Sequence, residues 1–335
     1  MTTGDPCPHL AGLKPKPPCG SIVSTHILTS VPDPSEARRG LFVGATAYLL
    51  WGAFPLYWPL LEPGGAVEIL AHRIVWSLIT MGVLVVVMRR RTQLAAILRN
   101  PRTFRLLLVA ALVISLNWGT YIYGVNNDRV VETSLGYFIN PLVTVLMGVI
   151  ILGERLRTLQ WVALGVGALA VTVLTVDYGR PPYVALVLAF SFGTYGLAKK
   201  TAGAGAVESL AFETAVLMPI ALGYLVWLQA AGDSHFTTDG LGHALLLTTA
   251  GIVTAIPLIC FGFAATRVSM VSLGLLQYLA PILQFVLGLV VFHEDMPAGR
   301  WIGFFLVWIA LALFTFELIQ HRRRQLALTV EASAC

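Results

Sequence analysis

The chain alternates long apolar runs with brief polar breaks, and the alternation recurs ten times between residues 40 and 320. A helix rises about 1.5 Å per residue, so about 20 apolar residues match the roughly 30 Å hydrocarbon core of a bilayer. The runs predict helices near 40–61, 67–88, 104–125, 130–152, 158–176, 182–200, 207–230, 243–265, 269–291 and 298–319. In stretches such as Leu106–Gly124 and Ala244–Ala265 polar residues are few and isolated, unlike the two-faced pattern of a soluble surface helix. The breaks are short, which makes consecutive helices antiparallel neighbours. The expected class is an all-α membrane protein with ten transmembrane helices.

The polar positions give this array a direction. Of the 22 Lys and Arg residues, eighteen fall at one set of helix ends, including Arg89, Arg90, Arg91, Arg99, Arg102, Arg105, Lys199, Lys200, Arg267 and Arg322 to Arg324. The opposite ends hold three, Arg129, Arg180 and Arg300, and Arg73 lies inside a helix. Basic residues concentrate on cytoplasmic loops, so both termini are expected in the cytoplasm and the membrane is expected to be the plasma membrane. Ten crossings, an even number, agree with that. The net charge of +5 therefore reflects topology and not a nucleic-acid partner. Composition points the same way. Residues are 57% hydrophobic and 12% charged, about half the charge of a soluble domain, too little to cover a water-exposed surface.

Residues 1–37, rich in Pro and Lys, read as a disordered cytoplasmic tail without the apolar core of a signal peptide. Cys7 and Cys19 flank His9 there, and disorder outweighs a metal site. Cys260, inside an apolar run, reads as a small core residue. Residues 321–335 read as a basic cytoplasmic tail.

Shifted by 140 residues, the chain matches itself. Pro141 falls on Pro281, Gly148 on Gly288, Glu154 on Glu294 and Trp161 on Trp301, and at a shift of 141 Gly52 meets Gly193. The repeats are 38–178 and 179–320, five helices each. Five is odd, so the second copy enters the membrane from the other side. The result is an inverted 5+5 repeat, the architecture of many secondary transporters.

Six segments carry a resemblance to a family: AHRIVWS at 71–77, NWGTYIYGVNND at 117–128, ETSLGYFINPL at 132–142, LGERL at 152–156, LAFSFGTYGLAKK at 188–200 and AGIVTAIPLICF at 250–261. Over residues 40–320 the chain resembles the RarD-type members of the EamA family, in the drug/metabolite transporter superfamily. The resemblance implies a ten-helix inverted repeat and the export or uptake of small metabolites or drugs, with an association with chloramphenicol sensitivity. The long N-terminal tail departs from the family, as does His293, which stands where the first repeat has Gly153.

Chemistry must come from polar groups at membrane depth, which are costly and so tend to face a cavity or another helix. The candidate substrate-binding residues are Trp51, Asn117, Tyr121, Tyr137, Asn140, Tyr195, Gln277 and Tyr278. Aromatics and amides of this kind suit an amphipathic organic molecule. Asn117 and Tyr121 are four apart and share a helix face. Pro141 and Pro281 remove a backbone donor near mid-membrane and are expected to mark flexed points. Among charges, Arg73 and Glu213 occupy equivalent repeat positions. They are expected to gate the two sides, Arg73 with Asp128 or Glu132 and Glu213 with Arg267. The competing expectation is that both snorkel to the nearer surface. Ala185, Ala189 and Gly193 recur every four positions and read as a close-packing stripe. Glu154 and Glu294 read as caps or anchors.

No Gly-Lys dipeptide, and hence no P-loop, occurs in the chain, nor does HExxH, and no catalytic or metal constellation is visible. The reading is a secondary transporter of small organic solutes with no cofactor. Its partners are a small-molecule substrate, the lipid bilayer and a coupling proton or counter-substrate. The rivals are a membrane-embedded structural or regulatory protein without transport, and an embedded enzyme. Neither needs pseudo-symmetry. In intact cells, cysteines introduced at 232–242 should react with an impermeant thiol reagent and cysteines at 89–105 should not. The reverse pattern would overturn the orientation.

Overall fold

The computed structural model describes residues 34–334 apart from Glu154, Thr266 and Ser269, and all regular structure among them is helical. The first half contains α1 (Pro34–Gly52), two 3₁₀ turns (Phe54–Leu56 and Trp58–Leu61), α2 (Ala66–Val87), α3 (Arg91–Arg99), α4 (Pro101–Val125), α5 (Val130–Leu152) and α6 (Thr158–Tyr178). The second contains α7 (Tyr183–Ala202), α8 (Ala206–Ala231), α9 (His235–Thr238), α10 (Gly240–Ala265), α11 (Met270–Leu276), α12 (Leu279–Val290) and α13 (Ala298–Ala334). Eight apolar helical spans among the described residues are long enough to cross a membrane, one of them running from Ser272 to Val290 across the α11–α12 boundary, and nine if α1 and its following turns form one bent span. Helix α7, interrupted by Ser191, Thr194, Lys199 and Lys200, falls outside that set.

The boundaries follow local chemistry. Helix α4 starts where Asn100 accepts hydrogen bonds from the Arg102 and Thr103 amides at 3.0 and 3.2 Å, with Pro101 in the first turn. The first expected span is broken, because Pro55 and Pro59 initiate 3₁₀ turns and the path bends by 40°. The ninth is split into α11 and α12, and its break includes Gln277, four residues before Pro281, whose ring excludes a regular turn there. Pro141, by contrast, sits inside an unbroken α5. The linker expected between α2 and α4 contains α3, whose apolar positions Leu94, Ile97 and Leu98 have helical spacing. Helix α13 runs on to Ala334, through a segment free of Gly and Pro, where a separate tail was expected. The expected capping role of Glu154 and the metal-or-disorder question at Cys7, His9 and Cys19 lie outside the described residues.

The surface is apolar and the interior is mixed. Val176, Leu241, Phe42, Ile150 and Val87 are more than 70% exposed, while Glu132, Glu213, Asn117 and Ser209 are almost wholly buried. Water does not tolerate so extensive an apolar surface, and lipid does. The principal helix pairs are α2 with α8, α5 with α12 and α6 with α13; α4 with α7 and α1 with α10; α5 with α7 and α1 with α12; α2 with α10 and α4 with α8. Exchange α1 for α7, α2 for α8, α4 for α10, α5 for α12 and α6 for α13, and this set of pairs maps onto itself.

Close approach recurs at equivalent places. A Cβ on Gly52 of α1 would lie 2.9 Å from Leu283 Cβ and 3.1 Å from the Ala280 carbonyl of α12. A Cβ on Gly193 of α7 would lie 3.1 Å from Met147 Sδ and 3.6 Å from Val143 of α5. Val143 plus 140 is Leu283. The stripe of Ala185 and Ala189 is fully buried, and Gly136 of α5 packs against the Ala185 carbonyl. The two glycines differ in what a methyl would meet, a backbone carbonyl at one and a flexible thioether at the other. Gly52→Ala should lower stability by about 1–3 kcal/mol, the usual cost of overpacking, and Gly193→Ala by less. Thermal unfolding in detergent measures both, and equal losses would contradict the geometry.

Candidate functional site

Asn117 organises the centre. From α4 its amide nitrogen donates to the Leu188 carbonyl and to Ser191 Oγ of α7, both at 3.0 Å. Its carbonyl oxygen accepts from the Tyr137 hydroxyl of α5 at 3.2 Å. One turn along α4, the Tyr121 ring meets Tyr137 edge-on at 5.7 Å, and its buried hydroxyl lies against the Gln284 side chain. From Tyr137 ring contacts continue through Phe192 to Tyr195, at 5.9 and 6.0 Å. Across the centre, Gln284 of α12 donates to the Trp51 carbonyl at 3.3 Å. Trp51 contacts Tyr48 and Phe261, and Tyr57 shares a 2.8 Å hydrogen bond with Thr249.

Arg73 does not snorkel. It is 4% exposed on α2, and its Nε donates to Thr254 Oγ1 of α10 at 3.1 Å. The guanidinium lies 4.0 Å from the Trp118 ring, 4.9 Å from Trp58 and 5.9 Å from Phe54. Tyr57, Tyr121 and Tyr137 are close enough to interact with its charge. No carboxylate among the described residues lies within ion-pair distance of it. A desolvated cation–π contact contributes about 2 kcal/mol, whereas a buried ion costs several. The aromatic walls offset part of the cost and leave the cation able to take an anion.

The charge pairs differ from those expected. Glu213, fully buried on α8, is 2.9 Å from Lys199 Nζ and accepts from the Tyr195 hydroxyl at 3.2 Å, and Arg267 is bonded instead to Glu36 at 2.9 Å. Glu132 binds Arg180 at 2.9 Å and the Val184 amide at 3.1 Å, leaving Arg73 to its aromatics. The Glu132 carboxylate holds the Arg180 guanidinium pKa above its ordinary value. Asp128 is exposed in the α4–α5 turn with a φ of 52°. Depth along the helix axis, on which the expected pairs rested, does not fix which side chains meet around it. Glu68 likewise serves His235, through ring and amide contacts at 2.8 and 2.9 Å, while His72 stacks on Phe236 at 4.8 Å.

Of the eight predicted binding residues, Asn117, Tyr121 and Tyr137 come together at the centre, Tyr195 joins through Phe192, and Trp51 faces Gln284. Asn140 is engaged with Thr144 of its own helix at 3.5 Å. Gln277 and Tyr278 lie in the α11–α12 break, and Tyr278 packs with the cluster of α5, α6, α12 and α13 residues. The sequence reading passed over Trp58, Thr254, Lys199 and Arg180. The last two had counted only as topogenic charges, although Lys199 lies four residues after Tyr195 and so shares its helix face. A cleft of about 460 Å³ between α2 and α8, lined by His72, Trp76, Leu225 and Phe236, is separate from this centre.

An apolar exterior, structure that is helical throughout the described residues and a buried amide-aromatic centre define a multi-span membrane protein. The EamA-like transporter family model matches residues 38–176. Protein RarD of Streptomyces exfoliatus is 57% identical over 300 residues, 90% of this chain and 95% of that protein. A transporter of Bacillus subtilis, YojE, is 42% identical over 296 residues, covering 86% and 97%. The crystal structure of another protein shares the fold, with a TM-score of 0.52 and 21% identity over 83% of this chain and 96% of that one. The chain belongs to the EamA-like transporter family, as a RarD-type member.

Outside the spans, Glu294 in the α12–α13 loop reaches back to cap α5, accepting from the Val131 amide at 3.0 and 3.2 Å. Burial pushes its pKa up to about 7, opposed by the Val131 and Val130 amides and reinforced by Asp128. An unfolded Glu titrates near about 4.3, so between these values the folded state holds more protons, and stability falls as pH rises through that window. Glu294→Gln keeps an acceptor without the charge. It should flatten the decline between about pH 5 and 7 and unfold at a higher temperature than the parent at pH 8, as thermal unfolding across pH would reveal.

Proposed function

We propose that this protein is a secondary transporter that moves a small organic molecule across the plasma membrane by alternating access. On this reading ten spans form an inverted 5+5 repeat, 38–178 and 179–320, with both termini cytoplasmic. The observation that carries it is the exchange symmetry of the helix pairs, with equivalent close approaches at Gly52 and Gly193. Two related halves allow two related packings, one open to each side, around a site at their interface. Asn117, Tyr121, Tyr137, Trp51 and Gln284 form that site, with Asn140 and Gln277 flanking it at the two prolines.

Closure is assigned to the pairs seen here. Tyr195–Glu213–Lys199 ties α7 to α8 at the basic end, and Glu132–Arg180–Val184 ties α5 to the start of α7 at the other. A structural or regulatory protein would need neither a buried guanidinium without a carboxylate at its centre nor pseudo-symmetric halves. The names of the family and of YojE supply the word transporter without a substrate.

The test compares metabolite release and uptake, followed by untargeted mass spectrometry, in cells producing the parent chain or Asn117→Ala, Asn140→Ala, Gln277→Ala or Glu213→Gln variants. Losing a hydrogen bond to a buried group costs about 1–3 kcal/mol, so flux through Asn117→Ala should fall about tenfold or more with membrane insertion intact. Unchanged flux of an identified solute through all four variants would remove the site from this centre.

A further inference from the structure

Five carboxylates are buried among the described residues, Glu68, Glu132, Glu208, Glu213 and Glu317, and each has a basic partner: His235, Arg180, Arg90, Lys199 and Arg157. Arg73 is the buried Lys or Arg among those residues, and it has no carboxylate. Its one hydrogen bond is to Thr254, although a guanidinium carries five N–H donors. The surrounding faces of Trp118, Trp58 and Phe54 accept no conventional hydrogen bond. The Tyr121 hydroxyl and the Gln284 side chain, both buried in the same centre, lie against each other.

We infer that Arg73 is the receptor for an anionic group of the substrate, and that the transported molecule is an organic monocarboxylate. This rests on the transport reading and specifies its substrate class. A carboxylate matches the guanidinium fork in a bidentate pair and neutralises it. A phosphate monoester carries a charge of about −1.5 to −2 and would leave net negative charge among aromatic walls. The remainder of the molecule meets the rings of Trp118, Trp58, Tyr121 and Tyr137, which suits an apolar or aromatic body.

Purified protein in lipid nanodiscs is titrated with monocarboxylates from acetate to phenylacetate, with phenylacetamide and with phenyl phosphate, by thermal shift and calorimetry. At least one monocarboxylate should bind, and phenylacetate should bind about tenfold or more tightly than phenylacetamide and more tightly than phenyl phosphate. Arg73→Met should erase the difference between acid and amide, and Arg73→Lys should retain part of it. Without ligand, Arg73→Met should unfold at or above the parent temperature, since it removes an uncompensated buried charge. Equal binding of acid and amide, preference for the phosphate, an acid preference that survives Arg73→Met, or failure of every carboxylate to bind overturns the inference. Destabilisation by Arg73→Met makes the cation structural and overturns it too. Flux lost in Asn117→Ala alongside equal binding of acid and amide would leave the transport reading standing and remove only the anion.

Discussion

Hydrocarbon offers no hydrogen bonds, so polar groups that enter it must find partners within the chain. Most of what distinguishes this molecule follows from how that demand is met. Backbone groups meet it by forming helices. The buried carboxylates meet it with cations that a count of topogenic charges assigns to loops: Arg90 at the end of α2, Arg157 before α6, Arg180 between α6 and α7. These side chains do two things at once. Their charge orients the chain in the membrane, and their reach ties one helix to another. Arg90 to Glu208 joins the α2 end to α8, and Arg157 with Gln160 to Glu317 joins α6 to α13. Both ties connect helices that occupy equivalent positions in the two halves.

The centre meets the same demand incompletely. Asn117 is well served by three partners on α5 and α7. Arg73 retains donors that no described side chain uses. Unused hydrogen-bonding capacity at depth lowers stability, and at Arg73 it is the expected signature of a site that strengthens when occupied. Ring contacts run unbroken from Tyr121 through Tyr137 and Phe192 to Tyr195, whose hydroxyl reaches Glu213. Spatial continuity is not coupling by itself, but it puts a side chain of the proposed site in van der Waals sequence with a buried ion pair at one end of the bundle.

The spans were legible because lipid constrains length and apolarity together. Predicted and observed boundaries of α2, α5 and α8 agree within about two residues. The breaks were less legible. Pro55, Pro59, Pro141 and Pro281 were all visible, but α5 runs unbroken through Pro141, as α8 and α10 do through Pro219 and Pro257, while the chain breaks at or just before the other three. Helix α3 was readable from Leu94, Ile97 and Leu98 and was lost in a basic linker. The charge pairs of this structure differ from the expected ones for a geometric reason. A repeat offset gives depth, and depth is one coordinate of three. Glu213 finds Lys199 because α7 packs beside α8, and Arg267 finds Glu36, a residue the sequence assigns to a tail. Asn117, Tyr121 and Tyr137 were legible because helical spacing places two of them on one face, and the third lies four residues before a proline.

The positions of Arg73 and Glu213 hold the last step. On the proposed inverted repeat they are equivalent, and a molecule with identical halves would have inward-open and outward-open forms of equal energy. Opposite charges at equivalent positions remove that equality. Glu213 is neutralised within the chain by Lys199 and Tyr195, and its packing is complete without a ligand. Arg73 is walled by rings and completed only from outside. An anion arriving at Arg73 therefore changes the energy of one half and not of the other. A ligand shifts a conformational equilibrium only by its differential affinity for the two states. On the proposed alternating-access reading, the pseudo-symmetric backbone supplies two states of similar energy, and the asymmetry of these two charges supplies the means for a bound solute to choose between them.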